Sequence, residues 1–171
     1  ANSNAMTGFH YTGYLFECTE NYEECLDLLV DFVTRPYFTA ELVEKEKGII
    51  GEEIKMYLDD PSWRGYMGLL ELLYGRHPIA IDIAGTLESI EDTLVDDLNL
   101  CHAAFYRPEN MHLSIAGDFD LARSVDIIEA RLEKNRRPEE MELRRHRAKM
   151  SSKVARKKRS DRAAVSRPKL H

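Results

Sequence analysis

Helical periodicity dominates this chain and most strongly restricts the folds open to it. Apolar residues recur at spacings of three and four in five segments, which cover residues 21–36, 41–58, 61–75, 93–105 and 120–134. Only two short runs, residues 12–18 and 111–116, have the alternation or composition that predicts a strand. We therefore expect a mixed α and β fold in which helices are the majority.

Local signals predict where these helices begin and end. Asn21 and Glu24 have the spacing of a capping box, and Pro36 should end the first helix. Asp60, which directly precedes a proline, is expected to cap the third helix, and Gly75 is expected to end it.

The charge is distributed unevenly along the chain. Residues 1–130 contain 8 Lys and Arg against 25 Asp and Glu, a net charge of −17, whereas residues 131–171 contain 16 against 5, a net charge of +11. The basic segment has too few apolar residues to bury a face of its own. We therefore predict that residues 1–134 are part of one domain of mixed α and β structure, and that residues 135–171 are a basic linker leading to a further domain.

Several classes of protein are disfavoured by composition. No apolar run is long enough to span a membrane and the first eight residues do not resemble a secretion signal, so we expect a soluble, cytoplasmic protein. The basic segment has no aromatic residue for base stacking, which favours a linker over a nucleic-acid site. The three cysteines have no CxxC spacing and are expected to be small core residues: Cys18, Cys25 and Cys101.

The segment from Glu41 to Tyr57 has the most informative pattern. On a helix with about 100° per residue its apolar side chains fall in one arc of about 140°: Leu42, Val43, Ile49, Ile50, Ile54 and Tyr57. Glu46 and Glu53 fall near the middle of this arc, two turns and about 10 Å apart. We therefore predict that both lie on a buried stripe, where an ionised carboxylate needs a compensating cation or donor.

Two interpretations of these carboxylates remain open. In the first, Arg64, Arg107 or a backbone amide pairs with each acid, or the helix edge is less buried than the pattern suggests. In the second, one carboxylate binds a divalent cation and the other supports it. A helical zinc site commonly uses two histidines at HxxxH spacing, and none of the six His residues has it. We therefore expect no complete metal site within this chain.

Several separated motifs extend this pattern along the chain. They are EKGIIGEEIKMY at 46–57, DP at 60–61, GRHP at 75–78, GTLESI at 85–90 and YRPENM at 106–111. In this order they closely resemble the pitrilysin/insulinase family of zinc metallopeptidases, in particular its bacterial processing-protease-like members, which work beside a second family subunit. The resemblance extends from residue 1 to about residue 133.

The resemblance implies roles for individual residues. Glu53 corresponds to the glutamate that binds the family's zinc, and Glu46 corresponds to an acidic residue that supports the site. The family's NAxT strand, an edge to which substrate peptide adds by backbone pairing, is matched by Asn4, Ala5, Met6 and Thr7. Residues 3–6 also have the form of an expression-tag remnant, but the family pattern that continues after them favours a native strand.

The resemblance also implies that essential parts of the site lie elsewhere. The family's other zinc ligands are two histidines of an inverted HxxEH motif, which is absent here and lies upstream in the family. The Arg and Tyr that the family uses for substrate binding lie downstream. We therefore expect this chain to be a fragment of the N-terminal half of its parent, and expect it neither to hold zinc tightly nor to cleave peptides alone.

The fold and function expected from the resemblance are as follows. Residues 1–134 should form part of a peptidase-type two-layer α+β sandwich, with helices packed on one face of a mainly antiparallel sheet and incomplete at both ends. The parent should be a zinc-dependent peptidase acting on peptides or small proteins, paired with a second family subunit or a second copy, and binding neither nucleic acid nor membrane. The alternative is a non-catalytic peptide-binding or partner subunit of the same family.

Overall fold

A computed structural model of the chain describes residues 1–136 and Lys158. These residues fall into two compact units. The first unit comprises residues 1–39 and 94–136, and the second comprises residues 40–93. Within the described residues helices are the majority, and the sheet has two antiparallel strands. The predicted predominance of helix is therefore confirmed, whereas the two-layer sandwich stays a prediction.

The first unit begins with a β-hairpin. Strand β1 (Asn2–Thr7) pairs antiparallel with strand β2 (Thr12–Glu17), so that Asn2 lies opposite Glu17 and Thr7 lies opposite Thr12. The connection is closed by a bond of 2.8 Å from the Gly8 amide to the Tyr11 carbonyl. The strand predicted at residues 12–18 is thus confirmed, and the NAxT segment is also a strand.

Three helices complete the first unit: α1 (Tyr22–Thr34), α5 (Val95–Phe105) and α6 (Leu121–Lys134). Helices α1 and α6 pack together, and Leu26 of α1 is fully buried. Asp120 caps α6 as an acceptor for the Arg123 amide at 3.0 Å. The helices predicted at residues 93–105 and 120–134 are confirmed.

Two details of α1 differ from the sequence prediction. Asn21 precedes the helix, but it adopts a left-handed conformation with φ of 56° and makes no side-chain cap bond, so the capping box was wrong. The apolar spacing of Cys25, Leu28, Leu29, Phe32 and Val33 predicts that these residues form the buried face of the helix. The buried face is instead rotated: Leu26, Val30 and Thr34 are buried, whereas Leu28 is 67% and Phe32 is 64% exposed. Leu28 and Phe32 are apolar at helical spacing, but in the described residues little packs over them.

The strand predicted at residues 111–116 was wrong. The segment follows a 3₁₀ turn, Pro108–Asn110, and belongs to no strand of the structure. Its alternating sequence favours an extended backbone, but a strand also requires a neighbour with which to exchange hydrogen bonds. The sheet of the described residues consists of β1 and β2 only.

The second unit contains three helices: α2 (Ala40–Asp59), α3 (Pro61–Tyr74) and α4 (Leu87–Glu91). As predicted, Asp60 caps α3, accepting from the Ser62 amide at 2.7 Å, and Gly75 ends it with φ of 60°. The core of the unit is formed by Ile54, Met67 and Leu70. The short helix α4, closed by a capping box between Thr86 and Ser89, was missed by sequence analysis.

The remaining structural predictions have mixed outcomes. Cys18 and Cys25 are half-buried and Cys101 is exposed, so the prediction of core cysteines was wrong. None of the helices in the described part of the chain is long and apolar enough to cross a lipid bilayer. The predicted basic linker at residues 135–171 lies almost wholly outside the described residues, and the boundary near residue 134 stays a prediction.

Candidate functional site

Glu46 and Glu53, the two acids that define the candidate site, lie on α2. Both are exposed, so their predicted placement on a buried stripe was wrong. The physical reason is that the apolar arc itself is largely uncovered in the described residues: Leu42 is 46% and Ile49 is 54% exposed, and α2 buries Ile54 alone. The carboxylates therefore remain hydrated and need no buried counter-ion.

Glu53 accepts a hydrogen bond from a neighbouring tyrosine. The Tyr57 hydroxyl donates to Glu53 Oε1 at 3.0 Å, one helical turn further along the same face. The pKa of Tyr57 is raised above its ordinary value, first by this hydrogen bond and then by the negative charge of Glu53. The hydroxyl thus stays protonated and continues to donate.

The ring of Tyr57 is held by the first turn of α3. It lies against the Trp63 indole, with ring centroids 5.2 Å apart and planes inclined by 34°. The indole Nε1–H in turn donates to Asp82 Oδ2 at 2.7 Å, and Asp82 Oδ1 accepts from the Ala84 amide at 3.0 Å. A continuous chain of contacts therefore connects Glu53 to the loop before α4.

The acidic residue next to Glu53 has a different environment. The helical pattern predicts that Glu44, Lys45, Glu52 and Lys55 project to the side of α2 opposite its apolar arc, which we call the charged side. Glu52 pairs with Lys55 there at 2.7 Å. Within the described residues neither Glu46 nor Glu53 forms an ion pair with Lys or Arg of the second unit, which excludes pairing with Arg64 there. Of the two open interpretations, the structure thus supports the exposed helix edge, and the accessible carboxylates are compatible with metal binding.

The residues present fit a divalent cation only in part. The Glu53 carboxylate is accessible and supplies the kind of oxygen that zinc accepts. No group of three His, Cys, Asp or Glu side chains among residues 1–136 is arranged to hold a metal ion. Glu53 can therefore serve as one ligand, and the others have to come from outside these residues.

The predicted substrate edge is present as strand β1. Asn4, Ala5, Met6 and Thr7 all lie on β1 and are exposed, with β2 on one side of the strand. The Ala5 amide donates to Asn4 Oδ1 at 2.9 Å. A peptide that paired with this amide would have to displace the Asn4 side chain.

The first unit also contains an open apolar groove of about 820 Å³. Its lining includes Tyr14 and Tyr106, whose hydroxyls are hydrogen-bonded at 2.7 Å, and Tyr106 stacks on the buried His102 with ring centroids 4.5 Å apart. Burial, followed by the Tyr106 hydrogen bond, raises the pKa of Tyr14. None of the predicted site residues lines this groove.

Sequence analysis missed three residues that contact or support Glu53. Tyr57 was recognised as part of the apolar arc, and its spacing of four residues from Glu53 is the signal that could have predicted the contact. Trp63 and Asp82 are 19 residues apart, and no local pattern links them. The structure alone places them together.

Comparison with protein-family models assigns both parts of the chain. Residues 1–87 match the model described as Insulinase (Peptidase family M16). Residues 93–167 match the model described as Peptidase M16 inactive domain. The first of these matches includes β1, Glu46 and Glu53.

The chain is similar to several curated bacterial proteins. It is 44% identical over 169 residues to the uncharacterized zinc protease YmfH of Bacillus subtilis, covering 99% of this chain and 40% of that protein. It is 31% identical over 126 residues to the uncharacterized zinc protease ML0855 of Mycobacterium leprae, covering 73% of this chain and 28% of that protein. The chain thus spans less than half the length of these relatives.

Two solved structures are similar to the structure of this chain. An M16-like peptidase from Alicyclobacillus acidocaldarius has 42% identity and a TM-score of 0.69, covering 82% of this chain and 32% of that chain. A protease from Helicobacter pylori has a TM-score of 0.80 at 20% identity, covering 88% of this chain and 36% of that chain, and therefore shares the fold.

Proposed function

Since this chain belongs to the insulinase family of peptidases, peptidase family M16, we propose that the protein containing it is a zinc-dependent peptidase. The chain would contribute Glu53 as the anionic zinc ligand, Glu46 as a supporting acid and β1 as the edge that binds substrate. The substrates would be peptides or small proteins.

The observation that carries this proposal is the accessibility and hydrogen bonding of the Glu53 carboxylate. The carboxylate is accessible on α2, forms no ion pair in the described residues, and is held at one oxygen by Tyr57. Glu52, by contrast, is already paired with Lys55 at the surface of α2. Glu53 is therefore available to an external cation.

The chemistry of such a site follows from general properties of zinc. When bound, zinc lowers the pKa of a water ligand to about 7 and polarises a substrate carbonyl. Glu53 would hold the ion through negative charge and an oxygen donor, and Glu46, two turns earlier on α2, would support the site. The exposed backbone of β1 extends the substrate by antiparallel or parallel pairing, which holds a peptide in a single extended conformation.

The finer architecture belongs to the same proposal. We expect strands from outside the described residues to extend the sheet, so that helices cover one face in a two-layer arrangement, with residues 135–171 as a basic linker to a further domain. We also expect a cytoplasmic location and a second family subunit or a second copy as partner. The side of β1 away from β2, which has no strand partner in the described residues, and residues 111–116, whose sequence alternates, are compatible with added strands.

A non-catalytic peptide-binding or partner subunit is the second candidate function. The match of residues 93–167 to a model described as an inactive domain is the observation that favours it. Such a subunit would use β1 in the same way, but it would have no need for a metal at Glu53.

Zinc content distinguishes the two candidates. In the full-length protein we expect Glu53→Gln to lower zinc affinity by more than about 100-fold and to abolish peptide hydrolysis, because a neutral amide is a poor zinc ligand. Glu52→Gln is the matched control, since Glu52 is the neighbouring residue on the charged side of α2. Equal zinc content in wild type, Glu52→Gln and Glu53→Gln would remove Glu53 from the ligand set and favour the non-catalytic subunit.

A further inference from the structure

We propose that Tyr57 is a positioning residue that fixes the Glu53 carboxylate for metal binding, and that Trp63 and Asp82 fix Tyr57 in turn. This inference rests on the proposed function, because it takes Glu53 to be a metal ligand. It adds three residues to the site that the sequence pattern did not assign.

Tyr57 contacts Glu53 directly. Because the hydroxyl donates to Oε1 at 3.0 Å, one carboxylate oxygen is occupied and Oε2 is left for a cation. A glutamate on an exposed helix face otherwise samples several rotamers, and a ligand must lose that freedom when it binds metal. A hydrogen bond that already selects one rotamer makes metal binding more favourable.

Tyr57 is itself held in place by packing against α3. A hydrogen bond between residues one turn apart on a helix would be weak evidence, because exposed side chains meet at this spacing by chance. Here the Tyr57 ring also packs on Trp63, which is half-buried and belongs to a different helix. The Tyr57 ring is therefore held by tertiary packing.

Trp63 is in turn held by a hydrogen bond to Asp82. Its indole N–H donates to Asp82 at 2.7 Å, and the other Asp82 oxygen accepts from the Ala84 amide. Both oxygens of this half-buried carboxylate are thus occupied, and the indole ring has one preferred orientation. Asp82 thus orients Trp63, Trp63 packs on Tyr57, and Tyr57 orients Glu53.

The arrangement is specific to Glu53 among the acids of α2. Glu52 pairs with a flexible lysine on the other side of the helix. Glu46 accepts no hydroxyl hydrogen bond in the described part of the chain. The carboxylate that is oriented by a packed aromatic residue is the one that the proposed function assigns to the metal.

The test is Tyr57→Phe in the full-length protein, which removes the hydroxyl and keeps the ring on Trp63. We expect the zinc dissociation constant, measured by competition with a chelator, to rise about tenfold, within the range seen when a partner of a metal ligand is removed. We also expect the visible absorption bands of the cobalt-substituted protein to change, while the melting temperature of the metal-free protein stays the same.

Tyr66→Phe is the matched control. Tyr66 also packs on Trp63, with ring centroids 5.8 Å apart, but no contact joins it to Glu53 in the described residues. It should leave zinc affinity and the cobalt spectrum unchanged. Trp63→Phe, which removes the bond to Asp82, should raise the zinc dissociation constant by less than Tyr57→Phe does.

The outcomes separate this inference from the proposed function. If Glu53→Gln releases zinc but Tyr57→Phe binds it like wild type, the positioning role is overturned and the proposed function stands. If Tyr57→Phe lowers the melting temperature without changing the cobalt spectrum, its role is structural and the inference is also overturned. If Glu53→Gln retains zinc, both fail.

Discussion

Helices α1 and α2 both carry acidic residues, but these residues have different partners. In α1, Arg131 bridges Asp27 and Asp31, with Nη1 at 3.0 Å from Asp31, and Asn135 also donates to Asp31 at 3.0 Å. In α2, Glu53 has a tyrosine hydroxyl as partner, and Glu46 forms no ion pair in the described residues.

The difference separates structural acids from available ones. The acids of α1 join it to α6, next to a core that includes the fully buried Leu26. Within the described residues neither Glu46 nor Glu53 forms an ion pair that joins α2 to another helix, and both side chains are exposed. We therefore expect Asp27 and Asp31 to contribute to the stability of the first unit, whereas Glu46 and Glu53 should contribute little to the stability of the fold.

Removal of the core of α1 should have the largest effect on stability. Leu26→Ala deletes a side chain with no exposed surface, and we expect the free energy of unfolding to fall by about 2 to 5 kcal/mol. Leu28→Ala, the same change at a position 67% exposed on the same helix, should alter it by less than about 0.5 kcal/mol. Urea unfolding measures both, and equal losses would contradict the rotated core.

Exchange of single acids should produce opposite effects in the two helices. Glu46→Gln should leave stability within about 0.5 kcal/mol of wild type, and in the full-length protein it should raise the zinc dissociation constant about tenfold. Asp31→Asn should lower the melting temperature and leave zinc binding unchanged. If Glu46→Gln instead unfolds the protein without an effect on zinc, the distinction between the helices is wrong.

The smallest expected effect is a dependence of stability on acidic pH. Hydrogen bonds from Arg131 lower the pKa of Asp27, and hydrogen bonds from Asn135 and then Arg35 lower that of Asp31. Because both values are lower in the folded state, the stabilisation is complete above the unfolded pKa of about 3.9 and is lost as the pH falls through the lowered values. Unfolding free energies between about pH 6 and 2 measure this loss.

Arg131→Gln provides the control for the pH experiment. It removes the Arg131 cation from both acids, so the decline of stability at low pH should become shallower, while Asn135 and Arg35 maintain a part of it through Asp31. Parallel pH profiles for wild type and variant would show that the Arg131 network does not stabilise the fold.

Local sequence signals predicted those elements that depend on neighbours along the chain. Asp60 with Pro61 and Gly75 correctly delimit α3, because caps and stops act within one turn of the helix end. The same reasoning failed at Asn21, whose left-handed backbone keeps the side chain from capping α1. It also failed at residues 111–116, where strand formation depends on a partner that the local sequence does not specify.

The candidate site, too, could be predicted from the sequence only in part. The pattern on α2 identified Glu46 and Glu53, and the motifs around them indicated the peptidase family that the comparisons confirm. The pattern could not decide whether these acids are buried, because burial depends on what covers a helix face and not on the face alone. It therefore predicted a buried stripe where the structure has an exposed one.

The sequence by itself determined the helical character of the chain, the ends of most helices and the family, because each follows from residue types at short, fixed spacings. Only the tertiary structure decided which apolar residues are core, which acids are paired and which side chains orient Glu53. Trp63 contacts Asp82, 19 residues away along the chain, and Arg131 contacts Asp31, 100 residues away. Leu26 is buried on α1, which packs against the distant helix α6. Those contacts arise from packing in three dimensions, which no local spacing specifies.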